Sequence, residues 1–213
     1  MAYYTEALDF FPQAYLQELR TQIMKSQFLA KNNLNGDFVG TRGFSIVFRR
    51  SAMDAVKQRF PWAAPYMDAL LDPACNAFYL NPLVLGAASR VDPHIDRSLR
   101  SYCKTVETPV VVSVLYVALP ADLRGGELVL RRGKSQVGRI VPVANKVVRF
   151  QGDLTHLVTP VAPDVAGERL SLVCEQYALE PRDLASIPEL GLESKGAALE
   201  MGGTPAPRRG RRG

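Results

Sequence analysis

The sequence predicts a mainly β domain, a sandwich or barrel, with helices gathered at its N-terminus. Three observations carry this expectation. Apolar residues recur at helical spacing in two stretches only, both before Pro65. From Phe44 to Tyr177 the chain turns to short apolar runs rich in Val, Phe and Tyr, separated by Gly, Pro and Asn. Helices and strands do not alternate, which argues against a parallel α/β fold.

Across residues 11–28, Tyr15, Leu16, Leu19, Ile23 and Met24 fall at three- and four-residue steps. That is the stripe of an amphipathic helix whose task is to cover a sheet. A second helix is expected from Ser51, where Ser-Ala-Met-Asp offers a capping-box-like start with the Asp54 carboxylate near the first-turn N–H groups. Pro61 and Pro65 should then break or kink it. Strands are expected at 44–48, 77–85, 110–119, 127–130, 137–143, 146–150 and 170–177. No internal repeat is visible. After Tyr177 the pattern dissolves into Pro181, Pro188 and scattered glycines, so residues 181–213 are expected to form a poorly ordered tail. What precedes them reads as one domain, residues 1–180, with a helical part at 1–75 and a β core at 76–180.

The bulk properties exclude several classes. The 213 residues suffice for one domain, and 47% hydrophobic with 22% charged residues is the balance of an ordinary globular protein. No basic region followed by an apolar stretch opens the chain. The longest apolar run, 110–119, is interrupted by Ser113 and is about half the length of a membrane-spanning helix. Cys75, Cys103 and Cys174 are odd in number and form no Cys-x-x-Cys pair, which suits a reducing, cytoplasmic setting. The formal charge of +5 falls to +1 without Arg208, Arg209, Arg211 and Arg212. The body is therefore no platform for phosphate, and no nucleic-acid or membrane partner is expected beyond what the tail could attract.

Chemistry concentrates around the two histidines. His94 stands in Asp-Pro-His-Ile-Asp-Arg, so at the end of a strand His94 and Asp96 point to the same side. His156, in Gly-Asp-Leu-Thr-His-Leu-Val, is distant in sequence but free to be adjacent in a rolled sheet. Two imidazoles and one carboxylate on one face of an ion leave the opposite face open, which suits non-heme Fe(II). A structural zinc site would be closed and richer in Cys. Thirteen residues after His156, Arg169 and Ser171 share one face of a strand. An Arg directed into an apolar barrel needs an anionic partner, and the distal carboxylate of 2-oxoglutarate is one that a guanidinium can hold bidentately, with the Ser171 hydroxyl in support.

His-x-Asp, a distant His and then Arg-x-Ser resembles the 2-oxoglutarate and Fe(II)-dependent dioxygenases, especially their prolyl-hydroxylase-like branch, from about Tyr79 to Tyr177. Gly125-Gly126-Glu127-Leu128 resembles that family's Gly-Gly-x-Leu strand start. Residues 142–150 resemble its strand-turn-strand before the second histidine. The resemblance implies a double-stranded β-helix (jelly-roll) core, with His94, Asp96 and His156 as catalytic metal ligands and Arg169 and Ser171 on the co-substrate. It implies Fe(II), 2-oxoglutarate and O2 as reactants. A small molecule or peptide residue would be hydroxylated at an unactivated C–H bond, with release of succinate and CO2. Asp96 fills the position that halogenating relatives leave to halide, which favours hydroxylation over halogenation and leaves desaturation and ring closure open.

One departure stands out. Val84 and Leu85 occupy the place where relatives often carry a Tyr for the co-substrate carboxylate, leaving Tyr79 and Tyr116 as candidates. Arg97, Arg100 and Tyr102 follow the metal motif where a lid would contact substrate, although solvated charges are the commoner explanation there. Two other classes compete: a non-catalytic metal-binding protein on the same barrel, and a nucleic-acid demethylase of the same superfamily. The second is disfavoured, because such relatives carry a further Arg and an Asn in the strand where this chain reads Arg169-Leu-Ser-Leu-Val-Cys-Glu175.

Overall fold

The computed structural model describes residues 2–31 and 36–194. The elements in chain order are β1 (Tyr4–Ala7), α1 (Gln13–Met24), β2 (Ala30–Lys31), β3 (Phe38–Gly43), β4 (Ser45–Arg49), α2 (Met53–Arg59) and α3 (Ala64–Leu70). There follow β5 (Ala77–His94), β6 (Val111–Ala118), β7 (Leu128–Arg132), β8 (Ser135–Ile140), β9 (Val147–Gln151), β10 (Thr155–Val158), β11 (Arg169–Tyr177), α4 (Pro181–Leu184) and β12 (Leu190–Glu193). Among the described residues, no helix is long and apolar enough to cross a membrane.

All the pairings are antiparallel, in the order β1-β9-β6-β11-β5-β10-β7-β8, with β3 and β4 also on β5, β2 beside β3 and β12 beside β4. This sheet rolls on itself as a jelly roll, the double-stranded β-helix of the expectation. Its pivot is β5, 18 residues long. Residues 77–85 of β5 pair with β11 on one side and with β4 and β3 on the other, whereas Val91 and His94 pair with β10. Between the two parts the strand bends at Ala88, whose φ is +60°. The bend is held by Ser89, whose hydroxyl accepts from the Gly86 N–H and donates to the Gly40 carbonyl.

Strand alternation divides the side chains between two layers. Phe78, Leu80 and Val84 face α1 and α3 and join Leu16, Leu19, Ile23, Tyr66 and Met67 in the larger core. On β6, Val112, Val114 and Tyr116 point into the roll beside Leu128, Leu130, Val148 and Phe150. The helices therefore do what the amphipathic stripe foretold, covering one face of the sheet and leaving the inner face to the site. Asn145, at φ +64°, makes the turn before β9. Its amide accepts from the Phe11 N–H at 2.9 Å and donates to the Phe11 carbonyl at 2.7 Å, tying the start of the chain to that turn.

Several expectations need correction. Ser51 caps nothing: a 3-10 turn (Arg50–Ala52) precedes α2, and the Ser51 hydroxyl donates to Glu189 instead. Pro65 does not break a helix but sits in the first turn of α3, where its missing N–H costs nothing. The part before residue 76 is not simply helical, since β1, β3 and β4 belong to the sheet. Residues 181–194 are no tail. They form α4 and β12, and β12 runs along β4 from Leu190 opposite Phe48 to Glu193 opposite Ser45. Arg49 secures the segment by donating to the Ile187 and Ala185 carbonyls. The Arg-rich stretch 208–212 lies outside the described residues.

Candidate active site

The pairing of β10 with β5 sets His156 directly opposite His94, with ring centroids 4.3 Å apart. Asp96, two residues beyond His94, turns its carboxylate between them: Oδ1 is 3.3 Å from His94 Nε2 and Oδ2 is 3.4 Å from His156 Nε2. Each Nδ1 faces a backbone carbonyl, that of Asp92 at 2.8 Å and that of Leu154 at 3.2 Å. A carbonyl can only accept, so each Nδ1 carries a proton and each Nε2 lone pair of a neutral ring is directed at the common centre. Asp96 Oδ2 is buried and makes no hydrogen bond. Three lone-pair donors, buried on Asp96 and His156 and half-buried on His94, converging within 4.8 Å of one another are a poor arrangement without a cation among them and a fitting one with it.

Electrostatics agree. Burial favours neutral His156 and holds its pKa below the ordinary value. It also works against charge on His94, but the hydrogen bond and charge of Asp96 prevail and raise it. For Asp96 burial is again the largest opposing effect, yet the two imidazoles keep the carboxyl below the usual carboxylate range. Asp96 is thus an anion held between two imidazoles, and a bound metal ion would balance it.

Arg169, the first residue of β11, is 2% exposed. Its Nε donates to Ser171 Oγ at 3.2 Å, its Nη1 donates to the Gly126 carbonyl, and its guanidinium lies 4.8 Å from the centre of the Tyr116 ring. Burial depresses its pKa, and no carboxylate of the described residues pairs with it. The Tyr116 hydroxyl is likewise buried without a partner. A cavity of about 350 Å³ touches His94, Asp96, His156 and Arg169 between apolar walls that include Val114, Leu128 and Phe150. Neither Ser171 nor Tyr116 lines that cavity directly: Ser171 accepts from the Arg169 Nε–H and Tyr116 lies against the guanidinium. Of the two tyrosines left open, Tyr79 donates its hydroxyl to Glu193, whereas Tyr116 keeps its own free beside the guanidinium.

Two acidic residues on the cavity wall escaped the sequence reading. Glu175 is buried and accepts from the N–H and hydroxyl of Ser98 and from the Tyr177 hydroxyl. Burial, with the Asp96 charge next, pushes its carboxyl up to about 8. Glu193 accepts from Tyr79 at 3.0 Å and from Tyr102 at 2.6 Å. Strand alternation from Arg169 was a usable signal for Glu175, and the Leu-x-Leu pattern at 190–192 for the strand that carries Glu193. Of the expected lid residues, exposed Arg97 lines the cavity, Tyr102 reaches it through Glu193, and Arg100 turns to the Lys104 carbonyl.

No family model and no curated protein matches this chain. Solved structures do. A Pseudomonas putida prolyl-4-hydroxylase is similar at 16% identity and a TM-score of 0.55, over 84% of this chain and 95% of that one. A Trichoplax adhaerens prolyl hydroxylase, solved with a hypoxia inducible factor oxygen degradation domain peptide fragment, is similar at 12% identity and a TM-score of 0.57, over 87% of each chain. An oxidoreductase of the 2OG-Fe(II) oxygenase family from Burkholderia pseudomallei is similar at 16% identity and a TM-score of 0.54, over 84% of this chain and 86% of that one. The likeness is one of fold.

Proposed function

We propose that this protein is an Fe(II)- and 2-oxoglutarate-dependent oxygenase that hydroxylates an unactivated C–H bond of a small molecule or peptidyl residue. One observation carries the reading: His94, Asp96 and His156 converge in the same cavity as a buried guanidinium that lacks a carboxylate partner. The three side chains would hold Fe(II) and leave coordination positions free, and Arg169 would hold the distal carboxylate of 2-oxoglutarate, with Tyr116 as a second donor and Ser171 as the support behind it. Bound together, iron and 2-oxoglutarate supply oxygen activation, with succinate and CO2 as co-products. The chain itself fixes both imidazole tautomers through the Asp92 and Leu154 carbonyls, orients the co-substrate from Arg169 and keeps water out with Val114, Leu128 and Phe150.

The peptide bound by the Trichoplax relative supports a peptidyl substrate as one form this chemistry takes. A demethylase of nucleic acid fits less well, since the Glu193 carboxylate would repel phosphate at the cavity wall. Three free cysteines, two of them buried, accord with a reducing, cytoplasmic location.

The test is anaerobic addition of 2-oxoglutarate to the Fe(II)-loaded protein, where a visible charge-transfer band is expected, followed by succinate release in air. His156→Ala and Asp96→Ala should abolish both. A wild-type protein that forms neither band nor succinate, or variants that match it, would end the assignment.

A further inference from the structure

β11 presents both poles of the cavity on one face. Arg169, Ser171, Val173 and Glu175 alternate along it, opposite Leu85, Leu83, Asn81 and Tyr79 of β5. Six residues of extended strand separate Arg169 from Glu175, roughly 20 Å. At the Glu175 end, Val47 lies opposite Tyr79 on β4, and β12 follows with Gly191 opposite Val47, so Glu193 projects from the same inner face. Tyr79 ties the two acids together, paired with Glu175 across the ladder and donating its hydroxyl to Glu193.

We propose that this end of the cavity binds a cationic group of the substrate, an ammonium or guanidinium, with Glu193 as its counter-charge and Glu175 as a further acceptor beside it. The proposal deepens the oxygenase reading and rests on it. Neither acid has a Lys or Arg partner among the described residues, and every donor to them is a neutral hydroxyl or N–H. Elsewhere Asp72, Glu127 and Glu168 each take an Arg. The co-substrate would not neutralise these acids, because Fe(II) and Arg169 together balance Asp96 and a doubly ionised 2-oxoglutarate. The remaining cation on the wall, Arg97, is exposed at the mouth. Hydroxyl donors hold each carboxylate in position while leaving lone pairs for a charged ligand, which is how a site selects a cation over its neutral isostere.

The experiment is calorimetric titration of anaerobic protein carrying Fe(II) and 2-oxoglutarate with agmatine, L-arginine and L-lysine, against L-citrulline and L-norleucine. At least one cation should bind saturably and about tenfold or more tighter than its neutral counterpart. Glu193→Gln, which keeps an acceptor for the tyrosines, should remove most of that preference, as should Glu175→Gln, with the charge-transfer band intact. Equal binding of cations and neutral analogues, no binding by any of the cations, or a preference that survives Glu193→Gln overturns the proposal while the band still supports the oxygenase reading. A missing band in the wild type instead removes that reading, and the titration then decides the cation site alone.

Discussion

At the scale of single residues, the strongest commitment is a guanidinium buried without an opposite charge. Arg169→Ala should weaken 2-oxoglutarate binding by about 100-fold, since a buried charge partner of the co-substrate disappears, while Fe(II) affinity stays near wild type; equilibrium titration of each ligand separates the two. Gly125 matters to the same side chain. Its φ is +75°, and a Cβ there would sit 2.0 Å from the Pro160 carbonyl oxygen. Gly125→Ala should therefore cost about 2–4 kcal/mol and lower Tm by about 5–10 °C in a calorimetric scan. It would also disturb the Gly126 carbonyl on which Arg169 rests. The four converging side chains were legible in the sequence because i, i+2 spacing on a strand states which residues share a face. The same rule does not tell which residues touch the cavity, and Ser171, expected in support of Arg169, accepts from its Nε–H. It was also not followed as far as Glu175.

At the scale of elements, short runs rich in Val, Leu, Phe and Tyr located β6, β9 and β11 to within a residue or two, because strands covered on both faces bring apolar side chains to most positions. Elements that owe their existence to a neighbour were harder to read. β3 contains Gly40 and Gly43 and is held by β5, while β12 has four half-buried residues and depends on β4. Tertiary pairing, not local propensity, makes them strands. Deleting every residue after Glu180 should cost on the order of 3 kcal/mol, from the lost ladder and the stranded Arg49. It should leave the iron and 2-oxoglutarate band in place, since no residue proposed to hold the iron or the co-substrate lies beyond Glu180. Denaturant melts and the absorption spectrum check the two halves of that statement.

For the whole molecule, the site draws its side chains from three strands of the roll. His94 ends β5 with Asp96 two residues beyond it, His156 lies on β10, and Arg169 opens β11. Ligands that bind only the assembled site should stabilise the entire fold, by about 2.7 kcal/mol at a concentration one hundred times Kd. A thermal scan with Fe(II) and 2-oxoglutarate under nitrogen should accordingly show a higher Tm than either addition to the Asp96→Ala variant. The layout also fixes where the molecule gives way. β10 is four residues long and flanked by β5 and β7, yet it carries one of the two imidazoles. An occupied centre would act on it as a rivet through the end of a short plank, so departure of the ion should unfasten that plank while the long beam of β5 stays seated among its other neighbours.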